Sequence, residues 1–100
     1  MKLDLKEVTQ QIELPDGSRI ILCDRLGKKE FSNGEKARNV FLVGPDDQLI
    51  WQIRSKFDHE GNPFTNINKE NEKFLAYRWD GGEYLIDLPS GFATPLQLIR

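Results

Sequence analysis

Apolar residues in this chain come in short runs with glycine- or proline-bearing turns between them. Ile12 and Leu14 alternate with Gln11 and Glu13, the period-2 pattern of a half-buried strand. Pro15-Asp16-Gly17 then forms a turn, and Ile20-Ile21-Leu22-Cys23 follows as a run apolar on both faces. Such a run predicts a central strand. Asn39-Val40-Phe41-Leu42-Val43 repeats the pattern, turns at Gly44-Pro45-Asp46-Asp47, and returns through Leu49-Ile50-Trp51-Gln52-Ile53-Arg54. Leu49, Trp51 and Ile53 share one face of that return. Leu49, Ile50, Ile53 and Phe57 also fit helical spacing, but the β-branched and aromatic content favours a strand.

The second half follows the same rhythm. Phe74-Leu75-Ala76-Tyr77-Arg78-Trp79 is followed by Asp80-Gly81-Gly82 and then by Glu83-Tyr84-Leu85-Ile86-Asp87-Leu88. An Asp-Gly turn between two apolar runs is a strong hairpin signal. Pro89-Ser90-Gly91 leads to a last strand over 92–99, and Pro95 within it predicts an edge position. Two stretches stand apart. Residues 27–36 are charged and read as a loop or a short second hairpin. Residues 55–73 read as a long irregular segment with room for one helical turn, of the kind that is functional or mobile.

These signals predict one all-β domain spanning residues 1–100, a single antiparallel β-meander of seven or eight strands. It is expected to form a small barrel or a two-layer sandwich. Hydrophobic residues make up 38%, charged residues 30% and aromatic residues 10%, which suits a globular domain with one core.

Charge and chemistry narrow the function classes. The formal net charge is −2, which argues against a dedicated nucleic-acid binder. The most basic stretch, with Arg25, Lys28, Lys29, Lys36 and Arg38, is interrupted by Glu30 and Glu35, and Phe31 is its one aromatic. A solvated hairpin is the favoured reading, and weak nucleic-acid binding is an alternative. A single cysteine, Cys23, excludes a disulfide framework and sits where a buried thiol is expected. The N-terminus lacks a signal-peptide pattern and no run is long enough to span a bilayer, so a cytoplasmic location is expected, without membrane partners.

No catalytic constellation is visible. Asp58-His59-Glu60 is a run of consecutive residues that cannot easily converge on a metal, and a solvated loop is expected there. Asp46, Asp47 and Asp80 lie in turns, where aspartate is favoured for local hydrogen bonding, and Asp87 is expected to face solvent. The reading is therefore non-enzymatic, with no metal and no cofactor.

The aromatic residues of the second half remain. Trp51 fits the core. Trp79, between Arg78 and Asp80 at a hairpin end, fits a protein interface, and Phe64 after Pro63 is placed on the same surface. The expected binding residues are thus Phe64, Arg78, Trp79 and Asp80, all exposed. The expected function is a non-catalytic protein-binding module, with an immunity-type inhibitor of a toxin as one form. The alternative is a ligand-binding barrel with a cavity lined by Trp51 and Tyr77. A monomer and a homodimer paired through the edge at residues 96–99 both fit.

The units 39–53 and 73–88 each read as strand, polar turn, strand, and resemble the inner half of a quinoprotein-like β-propeller blade. Asp87-Leu88-Pro89-Ser90-Gly91 is similar to the turn of such blades. The chain holds at most two such blades, and a closed ring needs about four or more. Asn39-Val40-Phe41, Trp51-Gln52-Ile53, Pro63-Phe64-Thr65-Asn66-Ile67 and Trp79-Asp80-Gly81 with Tyr84 and Asp87 also resemble a group of small uncharacterised bacterial proteins. That resemblance covers about half the chain and implies a fold class, not an activity.

Overall fold

The computed structural model describes residues 5–97. Eight strands form two antiparallel sheets among them. The first contains β1 (Val8–Glu13), β2 (Arg19–Cys23), β3 (Val40–Val43) and β4 (Leu49–Gln52) in chain order. The second contains β5 (Phe64–Glu70), β6 (Lys73–Arg78), β7 (Glu83–Ile86) and β8 (Ala93–Gln97), also in chain order. Each sheet is a meander, as expected when every strand-to-strand connection within it is short.

The inward faces of both sheets contribute to one core. Ile20, Leu22, Val40, Leu42 and Trp51 meet Phe64, Ile67, Phe74, Tyr84 and Ile86 there. The alternation in β1 leaves it half-buried, whereas β3 is buried on both faces. The outward side chains of the first sheet, Ile21, Cys23, Phe41 and Val43, form a second cluster. Cys23 is buried and is not part of a disulfide, in line with the expectation from the sequence.

The arrangement is two-layered, and no closed barrel forms among the described residues. Both seams between the sheets are instead joined by a few separate hydrogen bonds. On one seam Arg54 bridges Phe92: the Arg54 N–H donates to Gly91 O at 3.1 Å and the Ala93 N–H donates to Arg54 O at 2.7 Å. On the other, two side-chain amides from the first sheet's side reach the open edge of β5. The Ile67 N–H donates to Gln10 Oε1 at 3.0 Å, and Gln10 Nε2 donates to Thr65 O at 3.4 Å. Buried Asn39 accepts from the Phe64 N–H at 2.8 Å while its Nδ2 donates to Phe64 O at 2.8 Å and Cys23 O at 2.7 Å. An edge whose backbone groups are bonded this way is not open to another strand there.

Several expectations are corrected. Residues 27–36 are neither a plain loop nor a hairpin, because a short helix, α1 (Asn33–Ala37), begins there. Ser32 caps it, accepting from the Glu35 N–H at 3.3 Å. Residues 55–73 are not irregular throughout. They hold a 3-10 turn, Asp58–Glu60, and then β5, one of the longest strands. The helical alternative at Leu49 is displaced by β4. Pro95 does lie on an edge strand, since β8 ends its sheet. The expected strand end at residues 98–99 lies outside the described residues. Among the described residues, no helix is long and apolar enough to cross a membrane.

Candidate functional site: an exposed tryptophan turn above a buried arginine

In β6 the side chains alternate, so Phe74 and Ala76 point inward and Arg78 shares their face. Arg78 is therefore buried, at 3% exposure, at the end of an apolar row. A charge in such a place must be paired and bonded. Arg78 Nη2 donates to Asp58 Oδ1 at 2.7 Å and to Ala37 O at 3.1 Å. Its Nη1 donates to Ser55 Oγ and Tyr84 Oη, both at 3.1 Å. The guanidinium also lies over the rings of Phe64 and Tyr84, at 4.3 and 4.8 Å from their centroids. Its Nε has no hydrogen-bond partner among the described residues.

Asp58 is held from four directions. Arg38 Nε donates to its Oδ2 at 2.8 Å, as does the Ser55 N–H at 2.9 Å, and the Ser55 hydroxyl donates to Oδ1 at 2.8 Å, beside Arg78. Burial alone raises the Asp58 pKa, but these hydrogen bonds outweigh it and hold the carboxyl below its ordinary 3.8. The node thus ties α1, the 3-10 turn and the second sheet together.

Directly beyond Arg78 the chain turns. The Arg78 N–H donates to Gly82 O at 2.8 Å and the Gly81 N–H to Arg78 O at 3.0 Å, with Gly81 at φ +96°. Trp79 stands on this turn and is 58% exposed. It is nevertheless fixed: its backbone N–H donates to Pro63 O at 3.1 Å and its indole Nε1 to Asn62 Oδ1 at 2.9 Å. The same Asn62 donates through Nδ2 to Asp80 Oδ2 at 3.3 Å, and Asp80 Oδ1 accepts the Gly82 N–H at 3.1 Å. A large exposed aromatic is therefore held in one orientation by a hairpin whose base is the buried arginine node.

The expected surface of Phe64, Arg78, Trp79 and Asp80 accordingly divides. Phe64, at 2% exposure, and Arg78 are core residues and are withdrawn from any exposed patch. Inward register in β5 and β6 is the cause, and the Phe64 ring stacks edge-on against Tyr84 at 5.4 Å. Trp79 remains at the surface and Asp80 is half-buried beside it. A cavity lined by Trp51 and Tyr77 is not formed. Trp51 is packed inward, with its indole N–H donating to Leu88 O at 2.7 Å, while Tyr77 lies on the opposite face of β6 from Ala76. The Tyr77 hydroxyl donates to Glu83, which raises its pKa.

The basic stretch is corrected too. Arg25 is not solvated but buried, with its guanidinium 4.2 Å from the Phe31 ring and 5.4 Å from the Phe41 ring. Its Nη1 donates to Glu35 O at 2.8 Å and to Glu35 Oε2 at 3.2 Å. Lys28 pairs with Glu7, which raises the lysine pKa. Asp58, read as part of a solvated loop, is buried, while His59 beside it is exposed. Two signals pointed to these features. Arg78 falls in period 2 with Phe74 and Ala76, and Ser32-Asn33-Gly34-Glu35 has the capping-box spacing. Nothing local marked Asp58 as the partner.

A family model described as Domain of unknown function (DUF7957) matches residues 5–98. No curated protein and no solved structure matches the chain.

Proposed function

Starting from a chain that belongs to the DUF7957 family, a domain of unknown function, we propose that it acts by binding another protein through the Trp79 turn rather than by catalysis. The observation that carries this reading is the fixed orientation of Trp79. Tryptophan is enriched among residues that dominate interface energy, and a side chain ordered before binding loses little entropy on contact. Trp79 combines 58% exposure with two hydrogen bonds from its own N–H groups.

A binding role also suits the acids. Asp47 pairs with Arg19, Asp58 with Arg38 and Arg78, and Asp87 accepts from Ser90 in its turn. Each is engaged in holding the fold. An intracellular location fits the one cysteine, which is buried and not in a disulfide. An inhibitor that caps a toxin is one form of such a module; its support is the net charge of −2 alone. The blade-like meander of each sheet supports a likeness of topology to propeller blades and carries no activity.

The test is affinity capture with three immobilised baits: the wild-type chain, Trp79→Ala and Leu26→Ala. Leu26 is an exposed apolar residue, at 49%, and controls for general stickiness. A specific partner is expected to be weakened roughly 30-fold by Trp79→Ala, the equivalent of a 2 kcal/mol hot spot, and unchanged by Leu26→Ala. Equal capture by all three baits, or none by the wild type, would overturn the reading.

A further inference from the structure

We propose that the Trp79 turn receives a positively charged side chain, an arginine presented by the partner protein, held between the Trp79 ring and the Asp80 carboxylate. This rests on the reading of the turn as a contact surface and names the chemistry it recognises.

The same chain builds this kind of arginine site twice for itself. Arg78 stacks on Phe64 and Tyr84 while donating to Asp58. Arg25 stacks on Phe31 and Phe41 while donating to Glu35. In each, an aromatic face and a carboxylate converge on one guanidinium. Trp79 and Asp80 have the same two components at the surface, and one carboxamide sets their spacing: Asn62 accepts from the indole through Oδ1 and donates to the carboxylate through Nδ2.

The details favour a cation. The hydrogen-bonding edge of the indole is already used by Asn62, so the ring offers its π surface, and indole is the best of the aromatic faces for a cation. Among the described residues, no cation of this chain lies over the Trp79 ring, although other cations sit over Phe31, Phe41, Phe64, Phe74 and Tyr84. Asp80 likewise forms no ion pair among the described residues. Its oxygens each accept one bond from a neutral donor, the Asn62 amide or the Gly82 N–H. An ionised carboxylate offers about four lone-pair directions, so room is left for a guanidinium. Arginine fits better than lysine because its planar fork stacks and donates together.

The probe is a tripeptide, acetyl-Gly-Arg-Gly-amide, added to the 15N-labelled chain, with the citrulline peptide as its uncharged twin. The Trp79 indole N–H resonance, assigned with Trp79→Phe, is followed, and buried Trp51 is the internal reference. The arginine peptide is expected to shift the Trp79 signal saturably, with the citrulline peptide and Asp80→Asn each weakening binding roughly fivefold, which is about 1 kcal/mol. Asp80→Asn keeps an acceptor for the Gly82 N–H, whose unchanged resonance shows the turn intact. Equal shifts with both peptides, or a motionless Trp79 signal, would overturn the cation site. That failure is distinct from failure of the contact surface. If Trp79→Ala loses a captured partner and Asp80→Asn keeps it, the surface stands and the arginine receptor falls. If Trp79→Ala keeps every partner, the surface itself falls.

Discussion

The two sheets have the same topology and different interiors. In the first, β2 and β3 are apolar on both faces, and Ile21, Cys23, Phe41 and Val43 are buried on the side away from the shared core. In the second, the inward row ends in Arg78 and Tyr84, and the outward face is mixed, with Asn66, Asn68 and Thr94 exposed around Leu75 and Leu85. The first sheet gains order from apolar packing, which is non-directional. The second gains it from a bonded charge node, which demands geometry. The difference places the surface tryptophan at the end of the second sheet, where a directional anchor can fix a turn.

One buried arginine lies in β6 and another just past the end of β2, and removing these is the sharpest way to break the comparison. Arg78→Met strands Asp58 in the core with only Arg38 and Ser55, and is expected to cost about 3–5 kcal/mol, read by urea unfolding. Arg25→Met should cost less, about 1–2 kcal/mol, because Glu35 is 27% exposed and regains water. Equal losses would show that the two arginines are not different in kind.

The same node predicts an acid limb. The folded-state pKa of Asp58 lies below its ordinary 3.8, so its contribution is complete above 3.8 and is lost as pH falls through the lower folded value. Asp58→Asn should be less stable than wild type near neutrality, and the gap should narrow as the solution is acidified through that window. A gap that stays constant with pH would remove Asp58 from the account.

Gly91→Ala tests the seam. Gly91 has φ +78°, and a β-carbon there would lie 2.6 Å from Trp51 Cδ2. The ring belongs to the shared core, so the strain cannot be relieved outward. A loss of about 2 kcal/mol is expected, seen as a lower midpoint in denaturant without a changed slope. The smallest effect belongs to Trp79→Ala, expected within about 0.5 kcal/mol of wild type despite the loss of binding. A large loss would make Trp79 a structural residue.

Much of the scaffold was legible. Alternation and turn residues located the strands because a strand's period is a local property. The elements that were missed, α1 and β5, lie in polar stretches where burial is one-sided or brief. In β5 only Phe64 and Ile67 are buried, a pattern too sparse to read as alternation. Phe64 and Arg78 were placed outside because their neighbours Pro63 and Trp79 suggested a loop and a hairpin end. Their burial follows from register. The seam contacts of Gln10, Asn39 and Arg54 join residues 25 to 57 positions apart in the cases of the two amides, beyond any local signal.

By itself, the sequence determined an all-β chain of short antiparallel strands with tight turns, a buried cysteine, a core tryptophan at residue 51 and a tryptophan at a hairpin end. These follow from periodicity and turn chemistry, which act over a few residues. Only the tertiary structure decided that eight strands divide into two sheets, that Asp58 and Arg78 meet in the core, and that Asn62 couples Trp79 to Asp80. Those choices depend on which distant polar groups can satisfy one another once water is excluded, and that is settled by the packed chain as a whole.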